Sequence, residues 1–424
     1  MYKIKLPYGK SYRTYRSNDS RVDIFEPVFY PGAEQPLKSV QESLEGEFDL
    51  DPQKIKTVAI AINDKTRPVP HEVLLPPLLN KLSSLGIANA QICFYIATGT
   101  HLPMQPEEFK SVLPESIIQN YQVRSHDTAD QENLIYLGRT SRETPVYINK
   151  SYYQSDLKLA VGNIEPHHFA GFSGGSKSVS IGLAGRETIN SNHKLLLNEN
   201  AASGIFSKNP LRQDIEEIGI MAEVHYVLNV VLNRDKDIVA SFFGKPDQVM
   251  KAGVPLSRSI NQFHVNRLYD VVITSPGGYP KDINFYQSQK AITNAARIVR
   301  QGGIVILLAA CPEGGGSAAY DEFMRRNRTP EDIFFDFDQY GFRVGPHKAY
   351  QVAKILQKAT IIIVSEMPPK LSELYLLLPA KSLENAMKIA KSQLGTQQIN
   401  LAILPQGGIA LPVYSDMENI INEK

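Results

Sequence analysis

Histidine, lysine, arginine and carboxylate side chains gather in four short stretches: "NDKTRP" at 63–68, "TGTHLP" at 98–103, "EPHHFAGFSGGSKSV" at 165–179 and "NSNHKL" at 190–195. Asp64 and Arg67 place a carboxylate and a guanidinium three residues apart. A guanidinium matches a small carboxylate or phosphate through paired hydrogen bonds. The bland alternative is a turn in which Asp64 caps a helix and Arg67 is solvated. Of nine histidines, His101, His167, His168 and His193 stand in glycine- or proline-flanked settings. Imidazole titrates near neutrality, so in such loops it can carry protons or bind a metal. His71, His126, His225, His264 and His347 read as packed or solvated residues.

Lys177 follows a run of glycines, which raises the question of a phosphate-cradling loop. That loop reads GxxxxGK[ST] and follows a buried strand directly. Here Ser176 precedes the lysine, and the upstream strand "LKLAVG" at 157–162 is separated from Gly171 by Pro166 and two histidines. The phosphate loop therefore fails, and with it a phosphotransferase, which also needs a separate carboxylate for magnesium. Zinc patterns fail as well: there is no HExxH and no closely spaced Cys/His pairing. A metal on His193 would need most of its ligands from a cofactor. Farther along, Gln287 and Lys290 share a face near the start of an expected helix, where free N–H groups would favour an anion.

The elements that must position these groups alternate between short apolar runs and helix-like segments, which argues α/β architecture. "TVAIAI" (57–62) and "QICFYIAT" (91–98) read as strands around a proline-interrupted helix at 71–86, with "PEEFKSVL" (106–113) as a short helix. The polar stretches lie where these strands end, the edge at which open α/β sheets bind ligands. "NPLRQDIEEIGIMA" (209–222) has helical spacing, and "HYVLNVVLN" (225–233) reads as a strand. A second α/β series starts near 264 with "LYDVVITSPGG" (268–278), a helix at 283–299 and the strand "GGIVILLAAC" (302–311). The expected domains are 1–263 and 264–424.

A chain of 424 residues is long for one core, and length alone suggests two or three domains. Lys plus Arg number 45 against 44 acidic groups, so no global field favours nucleic acid or an anionic membrane. Two cysteines in apolar contexts make no disulfide framework. No run approaches the ~18 apolar residues of a membrane span, and the first residues lack a signal-like core. The expectation is a soluble cytoplasmic protein.

In this order, "NDKTRP", "ATGTHLP", "EPHHFAGFSGGSKSV", "NSNHKL" and "GGYPKDINFYQSQK" resemble the nickel-dependent lactate racemase family, over about residues 1–410. The resemblance implies two α/β domains with the active site between them. It also implies a nickel-pincer nucleotide, a pyridinium-3-thioamide-5-thiocarboxylic acid mononucleotide gripping nickel through sulfur, carbon and sulfur. Lys177 would be its covalent tether, His193 the fourth nickel ligand, and Asp64 with Thr66 would lie against the cofactor. His101 and His167 would be the acid/base pair on opposite faces of the substrate, and Arg67, Gln287 and Lys290 would contact its carboxylate or hydroxyl. The implied reaction inverts C2 of a 2-hydroxy acid by proton-coupled hydride transfer through a transient 2-oxo acid. The implied partners are a small 2-hydroxy acid and the cofactor-synthesis enzymes, without which the protein would be apo and inactive.

The chain departs from the family pattern at several positions. His168 stands where the family has an aromatic residue, which leaves the role split between His167 and His168 open. Ser176 stands where a basic residue often precedes the lysine. No tryptophan is present to line the substrate pocket, and His347 or Tyr350 would replace it. Those departures favour a larger polar substrate, an aldonic or malate-like acid, as the alternative to lactate. A non-catalytic nickel- or nucleotide-binding homologue is the rival of another class, and it would predict loss of an acid/base histidine.

Overall fold

The computed structural model describes residues 2–17, 22–46, 48–49, 51–343 and 345–414. The chain divides into two compact units, 29–260 and 1–28 with 261–424.

Unit 29–260 is built on a six-stranded sheet in the order Ile238–Gly244, Tyr226–Leu232, Leu157–Asn163, Val58–Asn63, Ile92–Ala97, Gln122–Ser125. All neighbours are parallel except the edge strand Ile238–Gly244, which runs antiparallel to Tyr226–Leu232. Val58–Asn63 and Leu157–Asn163 are buried at every position, the pattern of strands covered on both faces. The helix His71–Ser84 crosses from Val58–Asn63 to Ile92–Ala97. Pro76 and Pro77 lie inside this helix, which continues through them rather than breaking. Leu74, Leu75, Leu78 and Leu82 bury its inner side in the sheet's core, and that packing outweighs the missing donors. The residues 106–111 form a 3-10 turn rather than an α-helix.

The other unit carries an all-parallel six-stranded sheet in the order Leu378–Ala380, Ala359–Val364, Val299–Leu308, Tyr269–Thr274, Leu401–Leu404, Val22–Ile24. The first residues of the chain belong here and not with the unit that follows them in sequence. The antiparallel hairpin Tyr2–Tyr8/Ser11–Ser17 puts Ile4, Leu6, Tyr8 and Tyr15 into this core. The Gly9 N–H donates to the buried Asp282 Oδ2 (2.7 Å), and Val22–Ile24 pairs with Leu401–Leu404. Residues 1–28 thus group with 261–424, and the chain passes from one unit to the other at 28/29 and again at 260/261. Among the described residues no helix is long and apolar enough to cross a membrane.

Candidate active site

Three parallel strands of unit 29–260 deliver the chemistry at their carboxyl ends. Asp64 follows Val58–Asn63, His101 follows Ile92–Ala97, and the histidine and glycine stretch follows Leu157–Asn163. Asp64 is 4% exposed, and its Oδ2 lies 2.6 Å from His101 Nδ1. Its Oδ1 accepts from the Thr66 hydroxyl (2.7 Å) and the Thr66 N–H (3.1 Å). Burial alone would raise this carboxyl; the His101 and Thr66 hydrogen bonds and the nearby Arg67 charge outweigh it and hold the pKa below the usual carboxylate value. Asp64 does not cap the next helix; its carboxylate holds Nδ1 of His101 and the Thr66 hydroxyl and N–H instead. The next helix starts only at His71, after Pro70.

The following strand end folds into the miniature antiparallel pair Pro166–His167/Gly171–Phe172. His167 Nδ1 accepts from the backbone N–H of Ala170 (3.2 Å) and Phe169 (3.4 Å). His168 is buried, its ring 4.6 Å from that of Phe169, while His167 is only half-buried. Phe169 also contacts the rings of His167 and His193, so one aromatic side chain spaces three imidazoles. Gly171 sits at φ +73°, and a Cβ there would fall 1.8 Å from the Ile205 carbonyl oxygen. Only glycine allows that approach.

Lys177 opens a short helical turn, Lys177–Ser180. Ser178 Oγ donates to Asn63 Oδ1 (3.0 Å), and the Gly99 N–H donates to the Gly182 carbonyl (2.9 Å). The lysine loop is thereby tied to the loops that bear Asp64 and His101. Ser176 is 2% exposed and packs on Gly219, where an added Cβ would come within 2.3 Å of its side chain. That close packing on the helix Pro210–Met221 leaves no room for a basic residue at 176.

His193 lies in the last turn of Arg186–Lys194. Its pKa is pushed down to about 4, chiefly by burial and further by the charges of Lys177 and Arg67. The ring is therefore neutral near pH 7, as a metal ligand must be. Among the described residues there is no group of three or more His, Cys, Asp and Glu able to hold a metal by themselves. A neutral imidazole at His193 could give one nitrogen to a metal whose other ligands came from a bound cofactor.

Sequence reasoning missed the helix Pro210–Met221 as part of the site. Asn209 donates to the Phe169 carbonyl (2.7 Å), and Arg212, 1% exposed, donates to the carbonyls of Phe172 and Gly174 (both 3.1 Å). Asp214 Oδ2 accepts from Asn192, the neighbour of His193 (2.8 Å). The string "NPLRQD" held this signal: two chargeable groups on the inner side of an amphipathic helix.

In the other unit Gln287 and Lys290 lie half-buried on the helix Phe285–Ala296. The start of this helix does not present free N–H groups. Phe285 and Tyr286 donate to the Gly314 and Gly315 carbonyls (2.9 and 3.0 Å), and Gln287 donates to Asn284 Oδ1 (3.0 Å). Anion recognition there falls to side chains. Tyr350 packs against Phe334 and Phe337 of the Pro330–Tyr340 helix. It is His347 and the buried Lys348 that face Tyr286, with Lys348 Nζ 4.1 Å from the ring centroid and donating to the Tyr286 carbonyl.

Comparison with known proteins matches residues 8–204 to the lactate racemase N-terminal domain and residues 265–411 to the lactate racemase C-terminal domain. Lactate racemase of Thermoanaerobacterium thermosaccharolyticum is 30% identical over 96% of this chain and 98% of its own length. That of Lactiplantibacillus plantarum is 30% identical over 96% and 99%. The solved lactate racemase apoprotein from T. thermosaccharolyticum superposes with a TM-score of 0.91, covering 97% of this chain and 100% of that one. A Thermotoga maritima protein at 18% identity and TM-score 0.68, over 91% of this chain and all of its own, shares the fold. The chain belongs to the lactate racemase family and is an isomerase of the racemase class.

Proposed function

We propose that this enzyme inverts C2 of a small 2-hydroxy acid, with His101 and His167 exchanging protons with the substrate hydroxyl. Lys177 would tether a nickel-pincer nucleotide, and His193 would give nickel its protein ligand. When bound, that cofactor would supply the hydride acceptor that no side chain provides. The observation that carries the reading is the Asp64–His101 pair (2.6 Å) on loops tied to the one bearing Lys177. Asp64 stabilises the imidazolium formed when His101 takes the hydroxyl proton at Nε2. Arg67, Gln287 and Lys290 are the proposed partners of the substrate carboxylate and hydroxyl, and Thr66 acts through Asp64. The proposed catalytic domains are the two compact units, and the biosynthetic enzymes of the pincer are the proposed partners in vivo, in the cytoplasm.

The deciding experiment co-expresses the protein with a pincer-synthesis system and measures intact mass, nickel content and conversion of single enantiomers of lactate. The expected result is a nucleotide-sized adduct with about one nickel per chain, absent from Lys177→Ala. No adduct, under conditions that load a family control, overturns the cofactor assignment.

A second reading, epimerisation of a larger polar 2-hydroxy acid, is favoured by His347 and Lys348. Both stand against Tyr286, the neighbour of Gln287. Lactate turned over faster than every aldonic or malate-like acid tried would remove it.

A further inference from the structure

The two histidines assigned to proton exchange are held by opposite kinds of partner. His101 Nδ1 faces Asp64 Oδ2 at 2.6 Å, and an ionised carboxylate only accepts. The second Asp64 oxygen is already committed to the Thr66 hydroxyl and N–H, so the carboxylate cannot turn away. The ring proton of neutral His101 must then sit on Nδ1, leaving the lone pair on Nε2. His167 presents the reverse case. Its Nδ1 receives two backbone N–H groups, from Phe169 and Ala170, and a backbone N–H only donates. That nitrogen must keep its lone pair, so the proton of neutral His167 sits on Nε2.

We infer that the resting protein holds His101 and His167 in opposite tautomers, His101 protonated on Nδ1 with the Nε2 lone pair turned to accept a proton, and His167 protonated on Nε2 so that it offers a hydrogen bond and not a base. The inference rests on the proposed roles for its functional meaning, but not for its test. An imidazolium at His101 is matched by Asp64. An imidazolium at His167 would aim an Nδ1–H at two other N–H groups, so accepting a proton there requires the turn 167–170 to release both bonds. Proton uptake from the substrate hydroxyl at His101 is thus served by the structure as it stands, whereas proton exchange at His167, the last step from one enantiomer and the first from the other, needs that turn to rearrange. Enantiomers have equal free energy in water, so kcat/KM must be equal in the two directions; the asymmetry must appear in kcat and KM separately. Asp64 is a positioning residue in this scheme, and it gives the test a sharp form. In Asp64→Asn, Thr66 still requires an acceptor, so the amide oxygen stays with Thr66 and the NH2 group turns to His101 Nδ1. Such a donor forces the His101 proton onto Nε2.

The experiment labels histidine with ring 15N in the protein without cofactor and records ring nitrogen-to-carbon-proton correlations near neutral pH. His101→Gln and His167→Gln assign the signals. The expected result is a protonated Nδ1 at His101, a protonated Nε2 at His167, and reversal at His101 alone in Asp64→Asn. In loaded protein the same variant is expected to lower kcat by roughly 10²–10⁴-fold while changing KM little. Equal tautomers in the wild type, a proton on His167 Nδ1, or no change at His101 in Asp64→Asn would each overturn the inference. The racemase reading can survive that outcome, since it is judged by adduct formation and enantiomer conversion.

Discussion

The histidines sort by what holds their rings. His71 Nδ1 donates to the Val112 carbonyl (2.7 Å), and His126 Nε2 donates to the Ala184 carbonyl (3.0 Å); both residues are at most 2% exposed. Burial lowers the pKa of both rings below 6.5, so each is kept neutral in the fold. The unfolded chain then binds protons that the native protein refuses. Their contribution to stability is complete above pH 6.5 and is lost as pH falls through 6.5 toward the folded values. Each such proton steepens the loss by up to roughly 1.4 kcal/mol per pH unit. Urea unfolding of the cofactor-free protein between pH 7.5 and 5 should therefore show falling stability, with a flatter slope in His71→Gln/His126→Gln. An unchanged slope in that variant would assign the acid sensitivity to other groups. His101 differs in holding a carboxylate, and nothing in the spacing of "NDKTRP" and "TGTHLP" announced that contact across 37 residues.

At the scale of elements, the helix Pro210–Met221 holds the lysine loop from outside, adding to the anchor that Ser173 Oγ makes to the Asn163 carbonyl (2.8 Å). Glycines permit the path of 171–175 but make no side-chain bonds to fix it. Arg212 supplies them through the Phe172 and Gly174 carbonyls, with its own charge met by Glu216 (Nε–Oε1 2.6 Å). Gly175 faces this guanidinium so closely that a Cβ would lie 2.7 Å from it. Arg212→Met leaves the Phe172 and Gly174 carbonyls and the Glu216 carboxylate without their donor, and is expected to cost roughly 3–5 kcal/mol of stability. Thermal unfolding measures that loss. The double change Arg212→Met/Glu216→Leu should recover part of it while cofactor loading at Lys177 stays low, because the carbonyls that set the loop remain unheld. Full recovery of loading in the double variant would show that the loop needs no clamp. The periodicity of 209–222 made the helix legible; its inward arginine was not, since amphipathic spacing says which side is buried and not what that side grips.

For the whole molecule, the alternation of strands and helices was legible because parallel strands covered on both faces read as apolar runs, as in Val58–Asn63 and Leu157–Asn163. Loop motifs at the strand ends were legible through residue type. What escaped was pairing between distant segments: Val22–Ile24 beside Leu401–Leu404, or the Gly314 and Gly315 carbonyls on the start of Phe285–Ala296. Short strands and glycine turns carry too little pattern to announce a partner hundreds of residues away. The same long-range pairing governs how the molecule can be cut. Unit 29–260 has a core of its own, from Val40 to Ile238, so as a fragment it should unfold cooperatively. The remainder is not self-sufficient from 261 onward. Without residues 1–28 it loses Ile4, Leu6, Tyr8 and Tyr15 from its core and exposes the edge of Leu401–Leu404. Asp282 Oδ2 also loses the Gly9 N–H and keeps only that of Ala310 (3.1 Å). A 261–424 fragment is therefore expected to aggregate or to unfold without a cooperative transition, and joining residues 1–28 to it should restore one. Cooperative folding of 261–424 alone, read by circular dichroism and urea titration, would mean that the N-terminal hairpin only decorates this core.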